Sequence, residues 1–164
     1  MQEFTYKLFD DGTYIAASYE GDEENVEIPA YYLEKPVTIL YDGLFKDHSE
    51  IRSVKIPETV TDIGGFVFDG CDQLKELELP DSVCTLWQYA FARCGITRIA
   101  LPDQVRSIPP FAFKDCKDLK EVRCGKGLKN IYAWAFGGCD RLETLDHPPG
   151  KVEISPQAFE SGSR

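Results

Sequence analysis

The feature that most constrains this chain is a phenylalanine that recurs every 22 or 23 residues from residue 45 onward. The six positions are Phe45, Phe68, Phe91, Phe113, Phe136 and Phe159. Five residues before each phenylalanine stands a Leu or an Ile, and the residue directly before it is small or apolar. Self-similarity at such a period is typical of solenoids, in which each unit buries its apolar face against its neighbours. The chain is therefore predicted to be one solenoid of about six repeats.

Each repeat carries a pattern that predicts a short β-strand ending at a proline. In one repeat, apolar residues alternate from Leu77 to Leu79 and are followed by Pro80. A period of two is typical of a half-buried strand, and proline ends it because proline has no N–H to donate. Stacked repeats would pair in parallel about 4.8 Å apart, so that each sequence column becomes a ladder. The Ala-Phe-x-x-Cys segment, as in residues 90–94, is predicted to form a helical turn that places all three residues on one side.

The pattern LxxLxLPxxVxxLxxxAFxxC, which runs from Leu74 to Cys94, resembles the BspA-type leucine-rich repeat, and the similarity covers roughly residues 26–160. The resemblance implies an α/β solenoid, a right-handed superhelix of about six leucine-rich repeats of 22–23 residues with parallel strands and short helical turns. Residues 1–25, with Asp10-Asp11-Gly12-Thr13 between apolar runs, read as a β-hairpin. This hairpin resembles the N-terminal cap of such domains. We therefore expect a cap over residues 1–25 and a solenoid over residues 26–164.

Four of the six cysteines belong to the repeat, because Cys71, Cys94, Cys116 and Cys139 follow one another at steps of 23, 22 and 23 residues. A parallel ladder holds neighbouring Cβ atoms about 4.8 Å apart, whereas a disulfide prefers about 3.5–4.5 Å. These cysteines are therefore predicted to be free, buried thiols. His48 occupies the same column in the first repeat, where we interpret it as a polar residue that ends the stack.

One pair of residues suggests chemistry. His147 lies one repeat after Cys124 in a strand column, so a thiol- or metal-dependent site at Cys124 and His147 is an alternative hypothesis. The sequence offers no clear orienting carboxylate and contains no P-loop, GxGxxG, GxSxG or HExxH motif. The chain is predicted not to be an enzyme and to need no cofactor or metal. The acidic runs at residues 10–11 and 22–24 read as a turn and a solvated loop, with calcium binding as the alternative.

Two surfaces are candidates for binding a partner. The first is the outer face of the strands, where the candidate contacts are Lys55, Glu78, Arg98 and Arg123. Its charges alternate in sign, which favours cross-strand ion pairing as readily as recognition. The second is an aromatic flank formed by Phe66, Tyr89, Phe111 and Trp134, two residues before each phenylalanine, together with Trp87 and Tyr132. Exposed aromatic residues often mark interfaces, but these rings could instead stack and seal the convex side.

Charge and hydropathy narrow the class of partner. A formal net charge of −10 argues against nucleic acid and against anionic membranes, and no segment approaches the roughly 18 apolar residues of a membrane span. We expect a protein-interaction module of the adhesion type, with a structural spacer domain of a larger surface protein as the alternative.

The family resemblance implies a cell-surface or secreted location and a host or cell-surface partner. The first residues lack the features of a signal peptide, which predicts a cytoplasmic location if the chain is complete.

Overall fold

Fourteen short strands lie within residues 2–162, which are the residues that the computed structural model describes. They stack as a β-solenoid of about six turns. The strands are β1 (Glu3–Leu8), β2 (Tyr14–Glu20), β3 (Asn25–Glu27), β4 (Tyr31–Tyr32), β5 (Lys35–Leu40), β6 (Ser53–Lys55), β7 (Asp62–Ile63), β8 (Thr85–Leu86), β9 (Arg98–Ala100), β10 (Ser107–Ile108), β11 (Glu121–Arg123), β12 (Asn130–Ile131), β13 (Thr144–Asp146) and β14 (Glu153–Ile154).

Equivalent strands of successive repeats pair in parallel and in register, as the sequence columns predict. In the ladder after each core phenylalanine, Val122 of β11 pairs with Ile99 of β9 and with Leu145 of β13. In the ladder before it, β5, β7 and β8 form one sheet and β10, β12 and β14 form another. The second ladder is interrupted after β8, where Pro109 has no N–H to donate to the previous repeat.

The predicted N-terminal hairpin is confirmed. Strands β1 and β2 pair antiparallel around a turn in which Gly12 has a φ of 86°, a value that favours glycine. The Asp11 carboxylate accepts hydrogen bonds from the N–H and the hydroxyl of Thr13, which accounts for this acidic pair as turn chemistry. Strand β2 then pairs in parallel with β5, so the hairpin joins the first turn of the solenoid. The boundary at residue 25 stays a prediction.

The core is built on the phenylalanine column. Successive rings stack with centroids 5.1–5.7 Å apart, and the first five are almost completely buried. The Leu, Ile and Val ladders surround them. Burial of such a side chain contributes roughly 1.5–3 kcal/mol. The column ends at Phe159, which stacks on Phe136 but remains 52% exposed, because no further turn covers it within the described residues.

The predicted helical turns are wrong, since residues 2–162 contain no helix. Around the core residue Phe91, left-handed φ values of 65° at Tyr89 and 53° at Arg93 interrupt any right-handed helical series. Alternate backbone donors of this segment reach the next repeat, and those between them bond within their own turn, as the Ala92 N–H does to the Tyr89 carbonyl (3.1 Å). The Phe91 N–H donates to the Ala112 carbonyl (2.9 Å) and the Arg93 N–H to the Lys114 carbonyl (2.7 Å). The fold is therefore a β-solenoid and not an α/β solenoid.

Candidate partner-binding surface

Four aromatic rings of the flank form one continuous stack, which we call the inner aromatic column: Phe66, Tyr89, Phe111 and Trp134. Their centroids are 4.6, 4.8 and 5.1 Å apart, and their planes are inclined by 7–19°. Each of the four residues has a φ of 62–65°. This left-handed conformation is uncommon for residues with large side chains. Here it recurs at the same position of four successive turns.

Hydrogen bonds between turns explain why these rings stack. The backbone of each turn donates to the next, as in the Phe68 N–H to Ala90 carbonyl bond (2.8 Å) and the Phe113 N–H to Ala135 carbonyl bond (2.8 Å). Adjacent turns are thereby held close to the ladder spacing of a β-sheet. Side chains in one column therefore meet face to face at near-stacking distance.

The inner aromatic column is only partly accessible. Phe66 at its N-terminal end is exposed, whereas Tyr89, Phe111 and Trp134 are half-buried. The Lys46 ammonium lies 5.0 Å from the Phe66 ring centroid, within the range of a cation–π interaction. The column consequently seals the turns, as the alternative interpretation of the sequence proposed, and presents mainly ring edges to the surroundings.

Trp87 and Tyr132 lie in a different column of the flank and are much more accessible. Their exposed fractions are 54% and 45%. Tyr41, which sequence reasoning missed, lies two repeats before Trp87 in the same column and is 49% exposed. Within residues 2–162 none of these three rings contacts another aromatic ring. We call Tyr41, Trp87 and Tyr132 the outer aromatic column.

The sequence does carry a signal for Tyr41. All three residues stand four positions before a core phenylalanine, and the intervening repeats have Gly64 and Pro109 at that position. The aromatic column two positions before each phenylalanine does not include the first repeat, which has Gly43 at that position. Tyr41 is therefore not part of that column.

On the outer strand face, which is the other predicted binding surface, some of the charged side chains form ion pairs with one another. The Lys55 ammonium lies 3.9 Å from the Glu27 carboxylate of the neighbouring strand, and the Arg123 guanidinium lies 3.4 Å from the Glu121 carboxylate. The side chains of Glu78 and Arg98 are exposed on the same face. Exposed ion pairs of this kind contribute about 0–1 kcal/mol each. The arrangement is that of a solvated sheet face, without an apolar centre that an interface would bury.

The geometry disfavours chemistry at Cys124 and His147. Burial, helped by the Asp146 carboxylate, raises the pKa of the Cys124 thiol to about 12, whereas a nucleophilic cysteine needs a lowered pKa. The His147 Nδ1 donates to the Pro148 carbonyl (2.8 Å). No hydrogen bond joins the side chains of Cys124 and His147, both of which lie in the described part of the chain. Among residues 2–162 no three His, Cys, Asp or Glu side chains are grouped as metal ligands would be.

The four cysteines of the repeat lie in the core, as predicted: Cys71, Cys94 and Cys116 are buried and Cys139 is partly buried against it. All six thiols are free, and the repeated ones point to the backbone of the preceding repeat. The Cys71 thiol donates to the Phe45 carbonyl (3.2 Å) and the Cys116 thiol to the Phe91 carbonyl (3.0 Å). His48 at the first position of this column lies 2.6 Å from the Glu50 carboxylate and packs edge-on against Tyr19. It ends the cysteine column under the hairpin.

Comparison with known proteins places this geometry in a family. The sequence model of the BspA type leucine rich repeat region matches residues 38–163 in six copies. A leucine-rich repeat protein of T. pallidum is 27% identical, with 92% of this chain and 82% of that chain covered and a TM-score of 0.75. A search of curated proteins found no match.

Two further crystal structures share the fold. A leucine-rich repeat protein from Bacteroides ovatus is 23% identical, with 96% of this chain and 49% of that chain covered and a TM-score of 0.76. A leucine rich cell surface protein from Faecalibacterium prausnitzii is 22% identical, with 88% and 52% covered and a TM-score of 0.61. The present chain thus spans about half the length of these two proteins.

In residues 2–162 there is no helix with the length and hydropathy of a membrane span.

Proposed function

Because this chain belongs to the BspA-type leucine-rich repeat family, we propose that it is a non-catalytic protein-interaction module that binds its partner through the outer aromatic column. The observation that carries this proposal is the exposure of Trp87 and Tyr132, which contact no other aromatic ring of residues 2–162, in a protein whose other repeated aromatic columns stack their rings on one another. Large aromatic side chains at an accessible site are the usual anchors of protein interfaces.

The surroundings of the outer aromatic column suit a binding surface. Backbone hydrogen bonds to neighbouring turns hold the backbone of the outer aromatic column in place. A partner would therefore meet a preorganised surface and would not have to order a loop. The formal charge of −10 favours a partner that is neutral or cationic at its contact site. A host or cell-surface protein, the partner that the family resemblance implies, is the first class to assay.

The alternatives lack a comparable feature. A thiol site at Cys124 would have to overcome a raised pKa. The charges of the strand face partly pair with one another. A structural spacer would need no exposed Trp87, and solvent exposure of this ring brings no gain in folding stability.

The test is affinity capture with the wild-type protein and the double variant Trp87→Ser/Tyr132→Ser. Tyr31→Ser is the matched control, because Tyr31 is an exposed aromatic residue of β4, in the N-terminal region and outside the outer aromatic column. We expect a protein that binds the wild type and the control but not the double variant, and that binds again as a purified component. If every captured protein also binds the folded double variant, the proposal is wrong.

A further inference from the structure

The two ends of the solenoid differ in how their edge strands are closed. At the N-terminal end, the Gln2 side chain caps β3: its amide nitrogen donates to the Asn25 carbonyl (2.8 Å), and its oxygen accepts from the Glu27 N–H (3.3 Å). The Gln2 amide thereby takes the place of a peptide group in a further strand. The N-terminal edge is consequently closed by the chain itself.

The hydrogen bonds between the last two turns show which backbone groups of β13 remain open. The Thr144 N–H donates to the Lys120 carbonyl (3.0 Å), and the Asp146 carbonyl accepts from the Cys124 N–H (2.7 Å). Thr144 and Asp146 therefore bond to the turn of β11, and Leu145 between them faces away from it.

Four backbone groups of the last turn point outward in this way. They are the Glu143 carbonyl, the Leu145 N–H and carbonyl, and the His147 N–H, and they are equivalent to the groups through which the preceding turn binds β13. Among residues 2–162, none of the four has a hydrogen-bond partner. Unpaired groups on an edge strand are a template for pairing with another chain.

The side chains at this end are also incompletely covered. Leu142 and Leu145 are half-buried and Phe159 is exposed, and the three border one hollow at the end of the stack. Leu119 and Val122, which precede the two leucines by one turn, are completely buried. Within the described residues, the last turn therefore lacks the cover that each inner turn receives from the next one.

We propose that β13 pairs antiparallel with β13 of a second copy of this chain, which makes the protein a two-fold symmetric, end-to-end dimer. Because Pro148 has no N–H to donate, the open edge ends at His147 and Leu145 is its midpoint. A two-fold axis at Leu145 lets each Leu145 N–H donate to the Leu145 carbonyl of the other copy. The same axis brings each His147 N–H to the Glu143 carbonyl of the other copy, so all open groups of the edge are bonded.

The side chains of β13 suit this register. The directly opposite pairs are Thr144 with Asp146 and Glu143 with His147, so no pair brings together two charges of the same sign. Asp146 also lies in register with Arg123 of β11, which offsets its charge within each copy.

Two-fold pairing is favoured over the other ways of covering this edge. A head-to-tail array would need an open N-terminal edge, and Gln2 closes that edge. A strand of another protein could bond to the same backbone groups, but β13 is already complementary to itself in its donors, acceptors and side chains. The dimer goes beyond the proposed function, and it does not use the outer aromatic column.

Sedimentation velocity of the full chain over about 5–500 µM, a range that covers weak association, tests the proposal. We expect a reversible equilibrium between monomer and dimer without larger species. Leu145→Pro removes the outward N–H and keeps the bonds to β11, as proline does on an edge strand. The dissociation constant of the dimer should therefore rise at least about ten-fold, while circular dichroism verifies that the variant is folded.

Substitutions at Thr144 test the register. Thr144→Lys places an ammonium opposite Asp146 of the other copy and should strengthen the dimer several-fold, whereas Thr144→Glu places a carboxylate there and should weaken it by a similar factor. Because Thr144 is exposed, Thr144→Glu replaces Leu145→Pro if that variant unfolds. The matched control is Trp87→Ser/Tyr132→Ser in the outer aromatic column, which should dimerise like the wild type.

Amide hydrogen exchange followed by NMR locates the contact. The N–H groups of Leu145 and His147 should exchange more slowly at about 500 µM than at about 50 µM, because they are bonded only in the dimer. The N–H of Glu27, which Gln2 already caps, should exchange equally at both concentrations.

Three results overturn the proposal. They are a monomer at every concentration, a dimer that neither Leu145→Pro nor Thr144→Glu weakens, and a dimer that is lost in Trp87→Ser/Tyr132→Ser. If the wild type stays monomeric while a captured protein is lost with Leu145→Pro, the edge accepts a strand of another protein and the proposal is also wrong. A monomeric wild type leaves the proposed function untouched, because capture with the Trp87→Ser/Tyr132→Ser variant decides it separately.

Discussion

The Nε of Arg93 lies 2.8 Å from Oδ1 of Asp69, the buried carboxylate of the described residues. The same guanidinium donates to Asp47 through Nη2 (2.9 Å). Because the three residues belong to three successive turns, one side chain connects three repeats near their left-handed corners. The hydrogen bond with Asp69, more than that with Asp47, raises the pKa of Arg93 and keeps it charged.

Removing Arg93 should destabilise the protein although the residue is half-exposed. Arg93→Ala leaves the Asp69 carboxylate buried with only the distant Lys46 ammonium, at 4.0 Å, to compensate it. We expect a loss of about 2 kcal/mol in the free energy of unfolding, less than for a fully buried pair because water screens the guanidinium. Urea unfolding followed by circular dichroism measures it. Asp47→Asn, at the exposed end of the same network, should cost under about 1 kcal/mol; an equal effect of both variants would contradict the assignment.

The phenylalanine column should contribute unequally along its length. Phe91→Ala opens a cavity between two stacked neighbours and is expected to cost about 3–5 kcal/mol. Phe159→Ala removes a ring that is half-exposed and has one stacking neighbour, so its cost is expected at about 1 kcal/mol. Urea midpoints of the two variants give the comparison. Equal destabilisation would mean that the last turn is covered as completely as the central ones.

The two aromatic columns should separate stability from binding. Tyr89→Ser removes two ring contacts, at 4.6 and 4.8 Å, and is expected to cost about 2 kcal/mol. Trp87→Ser removes a ring without an aromatic contact and should change the free energy of unfolding by less than about 0.5 kcal/mol. Thermal and urea unfolding check both values. If Trp87→Ser destabilises as much as Tyr89→Ser, the outer aromatic column is part of the core and no binding surface.

The buried thiols predict a loss of stability at alkaline pH. Burial raises the pKa of Cys94 to about 12, whereas the thiol of the unfolded chain ionises near pH 9. Since the folded state holds the proton more tightly, the contribution is complete below pH 9 and is lost as the pH rises toward 12. At pH 10 one such thiol should cost about 1.4 kcal/mol. Cys94→Ala should therefore lose less free energy of unfolding than the wild type between pH 7.5 and pH 10; parallel losses would contradict this assignment.

The parts of the fold that sequence reasoning predicted are those that repeat. The phenylalanine column, the cysteine column and the parallel strands recur in register, so each is visible as an aligned position in the sequence alone. The prediction of a helical turn is wrong because the spacing Ala-Phe-x-x-Cys fits a helical turn and a stacked, non-helical turn equally well. Glycines at the left-handed corners, Gly43 before Phe45 and Gly70 after Phe68, were the available signal for the stacked turn.

For the candidate site, too, the sequence predicts one part and only the structure shows the other. The alignment identified Phe66, Tyr89, Phe111, Trp134, Trp87 and Tyr132 as one aromatic flank. The structure splits this flank into a stacked column and an exposed one, and it adds Tyr41 to the second. Composition could not make this division, because an aromatic residue two positions away on the same turn has the same hydrophobicity.

By itself, the sequence determined the solenoid, since a column that recurs every 22 or 23 residues can bury its apolar side chains only by stacking. Only the tertiary structure decided which columns make contact along the stack. Rings in every turn meet at 4.6–5.1 Å and seal the surface, as at Tyr89. Rings in every second turn stand about 9–10 Å apart and stay exposed, as at Trp87. The physical reason is that the folded backbone sets which side chains of a turn stack on the neighbouring turns and which remain exposed, and the one-dimensional pattern does not contain this.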